Sequence, residues 1–207
     1  MKYTTPYYAA YHWLASIPPR IHWFRQHVLS DEEKDEIVKV LASGYYIILT
    51  CNKYHLSSII VSLLSWFKTG KWARYSHALM NCDNITDPLK RDEFKFVEAD
   101  VAGVVYTTFD QVFNCSAVCL LSPANMTNDE WTVVIDALVK SVGCPYDDLF
   151  DLADYSRMSC VEVVLNALKK ANYAEEFKNF DAMINKVGNL VPQMYRDCED
   201  FKVEIEI

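Results

Sequence analysis

Between residues 73 and 122 the chain offers four β-prone runs in close succession. They are ARYSHALMN (73–81), FKFVEADV (94–101), VVYTTFDQVF (104–113) and AVCLLS (117–122), the last stopped by Pro123. The widest interval, NCDNITDPLKRDE, is made of turn formers and charges and reads as a surface loop. Strands that follow one another in this way pair as an antiparallel meander with helices packed to one side, an α+β domain. A short apolar run upstream, YYIILT (45–50), adds a buried strand. The alternating FKVEIEI (201–207) reads as a closing strand with one polar face.

Helices are announced by their ends. Ser30-Asp31-Glu32-Glu33 and Thr127-Asn128-Asp129-Glu130 both have the form of a capping box, a hydroxyl followed three residues later by a glutamate. The first predicts a helix to about Ser43 stopped by Gly44, the second a helix to about Val142 stopped by Gly143. In HLSSIIVSLLSWF (55–67), Ile59, Ile60, Leu63, Leu64 and Phe67 share one helical face. From Ser159, CVEVVLNALKKA is helical with Val161, Val164, Leu165 and Leu168 inward. CPYDDLFDLADYSRM, just before it, shows little periodicity and reads as an irregular loop.

Length and composition bound the remaining choices. A chain of 207 residues, 51% hydrophobic and 23% charged, builds one well-packed domain. We assign that domain to 29–207 and read 1–28 as an aromatic arm. The arm carries Tyr3, Tyr7, Tyr8, Tyr11, Trp13, Trp23 and Phe24, and either covers the core or meets a protein partner. A net charge of -8 with no basic block argues against nucleic acid as a partner. No apolar run reaches the ~20 residues of a membrane span. The arm is interrupted by prolines and lacks the apolar core of a secretory signal. Seven cysteines, an odd number without a CxxC pair, fit neither a zinc site nor a disulfide framework, so a reducing, cytoplasmic setting is expected.

Chemistry concentrates in three residues. Cys160 stands at the first turn of a helix, where free N–H groups and the helix dipole favour a thiolate and could hold an oxyanion. An inert buried cysteine is the commoner use of the residue. A thiolate needs a base, and the base needs an orienting group. His12, His22, His27 and His55 lie in or near the arm or at a helix start. His77 alone lies in a central strand. Glu98 sits between Val97 and Ala99 in the following strand, where a carboxylate calls for a positive partner. Glu93 and Asp100 are close enough in sequence to compete for that role. Glu162 reads as a first-turn partner of the helix dipole. Asp147, Asp148, Asp151 and Asp154 read as a solvated acidic loop. Their spacing lacks the glycine and final glutamate of a calcium loop, so no metal is expected.

The joint order of these motifs resembles the circularly permuted papain-like hydrolases. This is the NlpC-type group that includes YiiX- and YaeF-like proteins and a poxvirus relative. Ser76-His77 matches the family's histidine strand, Glu98 its strand glutamate, and Gly143, Tyr146 and Asp147 its G-x-x-Y-D turn. Cys160-Val161-Glu162-Val163-Val164 matches its C-S-E-L-V helix start, with valine in place of serine at 161. The similarity spans 44–168 and leaves the arm and the tail after Ala171 outside.

The resemblance implies a permuted papain-like fold with the nucleophile at a helix N-terminus. Cys160 would be the nucleophile, His77 the base, Glu98 the third member, and Tyr146 and Ser76 substrate contacts. It implies a thiol peptidase or amidase that cleaves an amide or related acyl bond through a thioester, without a cofactor. Peptide, amide or acyl substrates fit, and a viral or phage source acting in host cytoplasm or a virion is compatible. A thioester-forming acyltransferase, or a non-catalytic binding or virion protein that keeps the fold, are the alternatives.

Overall fold

The computed structural model describes residues 28–51, 61–63, 65–66, 70–83, 85–147, 156–171, 177–187 and 191–207. The aromatic arm, most of the 55–67 helix and Asp148, Asp151 and Asp154 lie outside them. In chain order the described elements are α1 (Asp31–Leu41), β1 (Ile47–Cys51), β2 (His77–Asn81), a 3-10 segment (Pro88–Glu93), β3 (Lys95–Asp100) and β4 (Gly103–Thr108). There follow α2 (Phe109–Val112), β5 (Ala117–Pro123), α3 (Asn128–Lys140), α4 (Cys160–Lys170), α5 (Lys178–Val187), α6 (Pro192–Asp197) and β6 (Phe201–Glu206). The strands form one six-stranded sheet in the order β4-β3-β2-β1-β5-β6, every pair antiparallel.

Both capping boxes form. Ser30 N–H donates to Glu33 at 2.7 Å while Glu33 N–H donates back to Ser30 Oγ at 3.2 Å. Thr127 and Glu130 repeat the exchange at 2.8 and 3.4 Å. Gly143 sits past α3 at φ 93, a left-handed position suited to glycine. α1 ends at Leu41, earlier than Ser43, with right-handed Ala42 as its cap.

The helices cover both faces of the sheet, not one. Ile37, Val38 and Leu41 of α1, with Phe109, Val112 and Phe113 in and after α2, pack on Ile48, Leu79, Phe96 and Leu120. On the opposite face Trp131, Val134 and Leu138 of α3 join Val164, Leu165 and Leu168 of α4 over Ile47, Leu49, Met80 and Val97. The reason lies in the strands: β1 and β5 are apolar at nearly every position, so neither face can be left to water.

Three local expectations are corrected. The 73–81 run becomes a strand only at His77. Before it, the Arg74 and Tyr75 N–H groups donate to Gln193 Oε1 (2.8 and 3.3 Å), and Tyr75 donates its hydroxyl to Glu206 (2.7 Å). The 104–113 run breaks after Thr108, where Gln111 Oε1 accepts the Thr108 N–H at 3.0 Å and starts a helical turn. In the 55–67 segment, Leu63 is exposed, whereas Ser62 and Ser65 are buried and donate to the Ala73 and Lys71 carbonyls. The tail beyond Ala171 folds as α5 and α6. Their Phe180, Ile184, Met194 and Tyr195 extend the core under α4.

Candidate active site

His77 is the first residue of β2, where it pairs with Thr50 of β1. Glu98 lies in mid-β3 and pairs with Val105 of β4. β2 and β3 are in register at Met80–Val97 and Asn81–Phe96. Continuing that register puts Glu98 opposite Leu79, on the same face as His77 and diagonal to it, within reach of long side chains. The two meet: His77 Nε2 and Glu98 Oε2 are 2.6 Å apart, with 28% and 19% of their side chains exposed. Thr107, from β4, also favours the charged form of Glu98, and its hydroxyl donates to Gln111 Oε1 at 3.1 Å. The other two carboxylates go elsewhere. Glu93 pairs with Lys90 at 3.1 Å, and Asp100 accepts the Ala102 N–H at 2.7 Å.

Cys160 arrives from the opposite direction, as the first residue of α4. Its position is set through the loop before it. The left-handed Gly103 (φ 111) at the tip of the β3–β4 hairpin has no Cβ, and one placed there would lie 2.4 Å from the Cys144 carbonyl oxygen. That close approach lets Val104 N–H donate to Cys144 O (2.8 Å) and Gly143 N–H to Val104 O (2.9 Å). Tyr146 then bridges Met158, whose N–H donates to Pro145 O at 3.0 Å, two residues short of the cysteine. The hairpin that carries Glu98 is therefore tied to the segment that leads into Cys160.

Cys160 acts on the His77 ring through both its charge and its bonding capacity. Burial alone would push the His77 pKa down. The charge and hydrogen bond of Cys160, followed by those of Glu98, reverse this and raise it to about 10. Glu98 suffers burial that would raise its own pKa, but the His77 bond and charge and Thr107 hold it below the ordinary value. The first recorded bond of α4 runs from Val163 N–H to Ser159 O at 3.0 Å, so the N–H groups of Cys160 and Val161 precede the helical ladder.

No family profile and no curated protein matches this sequence. Among solved structures, the metalloprotein YiiX of Escherichia coli O157:H7 aligns with a TM-score of 0.57 at 18% identity, over 78% of this chain and 96% of its own. The chain has the YiiX fold. Although YiiX is described as a metalloprotein, no group of three or more His, Cys, Asp or Glu able to hold a metal occurs among the described residues here. Nor is any helix among them long and apolar enough to cross a membrane.

Around His77, Ser76 is half-buried and ties its N–H to Thr50 O at 3.1 Å. Tyr146 is half-buried and packs against the core beside Met158. Asp147 corrects the reading of a solvated acidic loop: it is 1% exposed. Thr107 and Gly103 escaped sequence reasoning. Gly103 had a signal in the turn-like A-G after Asp100, while a threonine alternating along a strand carries none.

Proposed function

We propose that the protein is a cysteine-dependent hydrolase of the permuted papain-like type, with its catalytic domain over 29–207 and the aromatic arm ahead of it. One observation carries the reading. A single imidazole bonds a carboxylate through Nε2 at 2.6 Å and has its pKa raised by a helix-terminal cysteine, Cys160. The reacting form in this reading is a Cys160 thiolate beside the charged His77 ring, whose pKa stands at about 10.

Attack by Cys160 Sγ on an amide carbonyl forms the C–S bond and moves the π electrons onto oxygen. The Cys160 and Val161 N–H groups are placed to receive that oxyanion. Collapse breaks the C–N bond, and His77 gives its proton to the departing amine. Water, deprotonated by the now neutral His77, then opens the thioester and returns the acid and the thiolate. Glu98 holds the ring's orientation and its charge. Peptide, amide or related acyl compounds are the substrate class, and an odd set of seven cysteines without a CxxC pair supports action in a reducing, cytoplasmic compartment.

The background for a labelling test is low. Burial raises the thiols of Cys82, Cys115 and Cys119 to about 12 and that of Cys198 to about 11. At pH 7 a neutral thiol probe followed by peptide mapping should mark Cys160 in the wild type and lose that mark in C160A and H77A. Equal reactivity of the Cys160 peptide in H77A would remove the histidine from the reaction.

A further inference from the structure

Ser159 is fully buried, and its Oγ has no hydrogen-bond partner. Among the described residues no other buried side-chain nitrogen or oxygen is left in that state. A hydroxyl withdrawn from water without a replacement bond is costly, so its presence calls for an explanation. The residue is the N-cap of α4, directly before Cys160, with an extended backbone (φ -80, ψ 171) suited to capping. The cap is nevertheless half made. Ser159 N–H donates to Glu162 Oε2 at 2.7 Å, whereas Ser159 Oγ makes no capping bond. The first recorded bond of the helix runs from Val163 N–H to Ser159 O, so the Cys160 and Val161 N–H groups stand ahead of the ladder beside this free hydroxyl. The side chain of an extended N-cap residue lies over the N–H groups of the first turn. An oxyanion held by those N–H groups would occupy the same ground, within one rotation of the serine side chain.

We propose that the Ser159 hydroxyl is a catalytic donor to the oxyanion, and that its missing partner is the substrate carbonyl oxygen as the carbon becomes tetrahedral. The role rests on the reading of Cys160 as nucleophile. As Sγ bonds the carbonyl carbon, the π pair moves onto oxygen, and the hydroxyl donates a hydrogen bond to that charge while keeping its proton. When the intermediate collapses the carbonyl re-forms and the donor is released. A hydroxyl without a prior partner breaks no bond in order to act. Its attraction grows with the charge on oxygen, so it favours the transition state over the bound substrate. Burial adds to this, because water neither screens the contact nor competes for it. Glu162 is the rival acceptor. Burial raises its pKa, and the Ser159 side chain and N–H oppose the rise. That carboxylate already takes the Ser159 N–H, and a hydroxyl committed to it would take no part in acylation.

Two reagents separate an oxyanion donor from a helix cap. p-Nitrophenyl acetate acylates a thiol through a tetrahedral oxyanion and releases p-nitrophenolate. Iodoacetamide alkylates the same sulfur by displacing iodide, and no oxyanion forms. In S159A, acetylation of Cys160, followed as the p-nitrophenolate burst and mapped to its peptide, should slow at least about tenfold, since one oxyanion donor contributes ~10²–10³ in rate. Alkylation by iodoacetamide in the same variant should stay within about twofold of wild type, which also shows that Cys160 and His77 are still in place. The urea midpoint should hold or rise, because the alanine removes a buried hydroxyl that had no bond to lose. Wild-type acetylation in S159A overturns the proposal and leaves the hydroxyl to Glu162. Equal slowing with both reagents overturns it as well, and makes Ser159 a positioning residue of the turn. A burst that persists in C160A, or wild-type protein that acetylates no Cys160, overturns the nucleophile itself and the donor with it, an outcome distinct from a failure of Ser159 alone.

Discussion

Replacing Glu98 with glutamine keeps a hydrogen bond to His77 and removes the charge, which isolates what the carboxylate contributes electrostatically. The ring's pKa lies at about 10 against an ordinary 6.5. At ~1.4 kcal/mol per pH unit, that favours the charged ring by about 5 kcal/mol. The contribution is shared, and Cys160 outweighs Glu98. A charge-assisted bond is worth ~1.5–3 kcal/mol and a neutral one ~0.5–1.5, so E98Q should lose about 1–1.5 kcal/mol. The His77 midpoint should therefore drop by about one pH unit. NMR titration of histidine-labelled protein, with H77N to assign the resonance, reads this directly. C160A should lower the midpoint further than E98Q. In the double variant both partner charges are gone and only the glutamine bond opposes burial, so the midpoint should fall below 6.5. An unmoved midpoint in E98Q, or a larger drop in E98Q than in C160A, would refute the electrostatic account of the site.

Two further outcomes follow from the same geometry. G103A places a Cβ 2.4 Å from Cys144 O at φ 111 and must open the bonds through Val104 and Gly143. It should cost about 2–4 kcal/mol in urea denaturation and slow Cys160 labelling as well. G70A, at φ 72 but with open space around it, should cost only about 1–2 kcal/mol of left-handed strain and leave Cys160 labelling unchanged. Stability should also depend on pH at both ends. Folded His77 keeps a proton that the unfolded chain releases above about 6.5, so its contribution is whole below that and is lost as pH rises through about 10. Glu98 and Glu206, held below the ordinary carboxylate value, contribute above about 4.5 and lose that contribution as pH falls through their lower folded values. Urea midpoints that are flat from pH 6 to 10 would exclude the histidine's part.

Much of this architecture is written in local chemistry. The Ser30 and Thr127 capping boxes, the apolar runs of β1 and β5, and Cys160 at a helix start each depend on a few neighbouring residues, so a linear reading finds them. What it misplaces depends on partners far along the chain. ARYSHALMN reads as strand throughout, yet Arg74 and Tyr75 leave the ladder because Gln193 and Glu206 claim their polar groups. The TTFDQV stretch has strand-like content, but a side chain three residues on captures the Thr108 N–H. α5 and α6 went unseen because their apolar residues acquire meaning only against the underside of α4.

By itself, the sequence determined which groups exist: a strand histidine, a strand carboxylate and a helix-start thiol, in an α+β chain with too much apolar strand to leave bare. Tertiary structure decided which of them meet. Glu98, Glu93 and Asp100 are equivalent on paper, and the sheet register brings Glu98 to His77. Asp147 looks like one more solvated acid, and the fold buries it. Local propensity depends on neighbours in the chain, whereas charge, burial and proton affinity depend on neighbours in space.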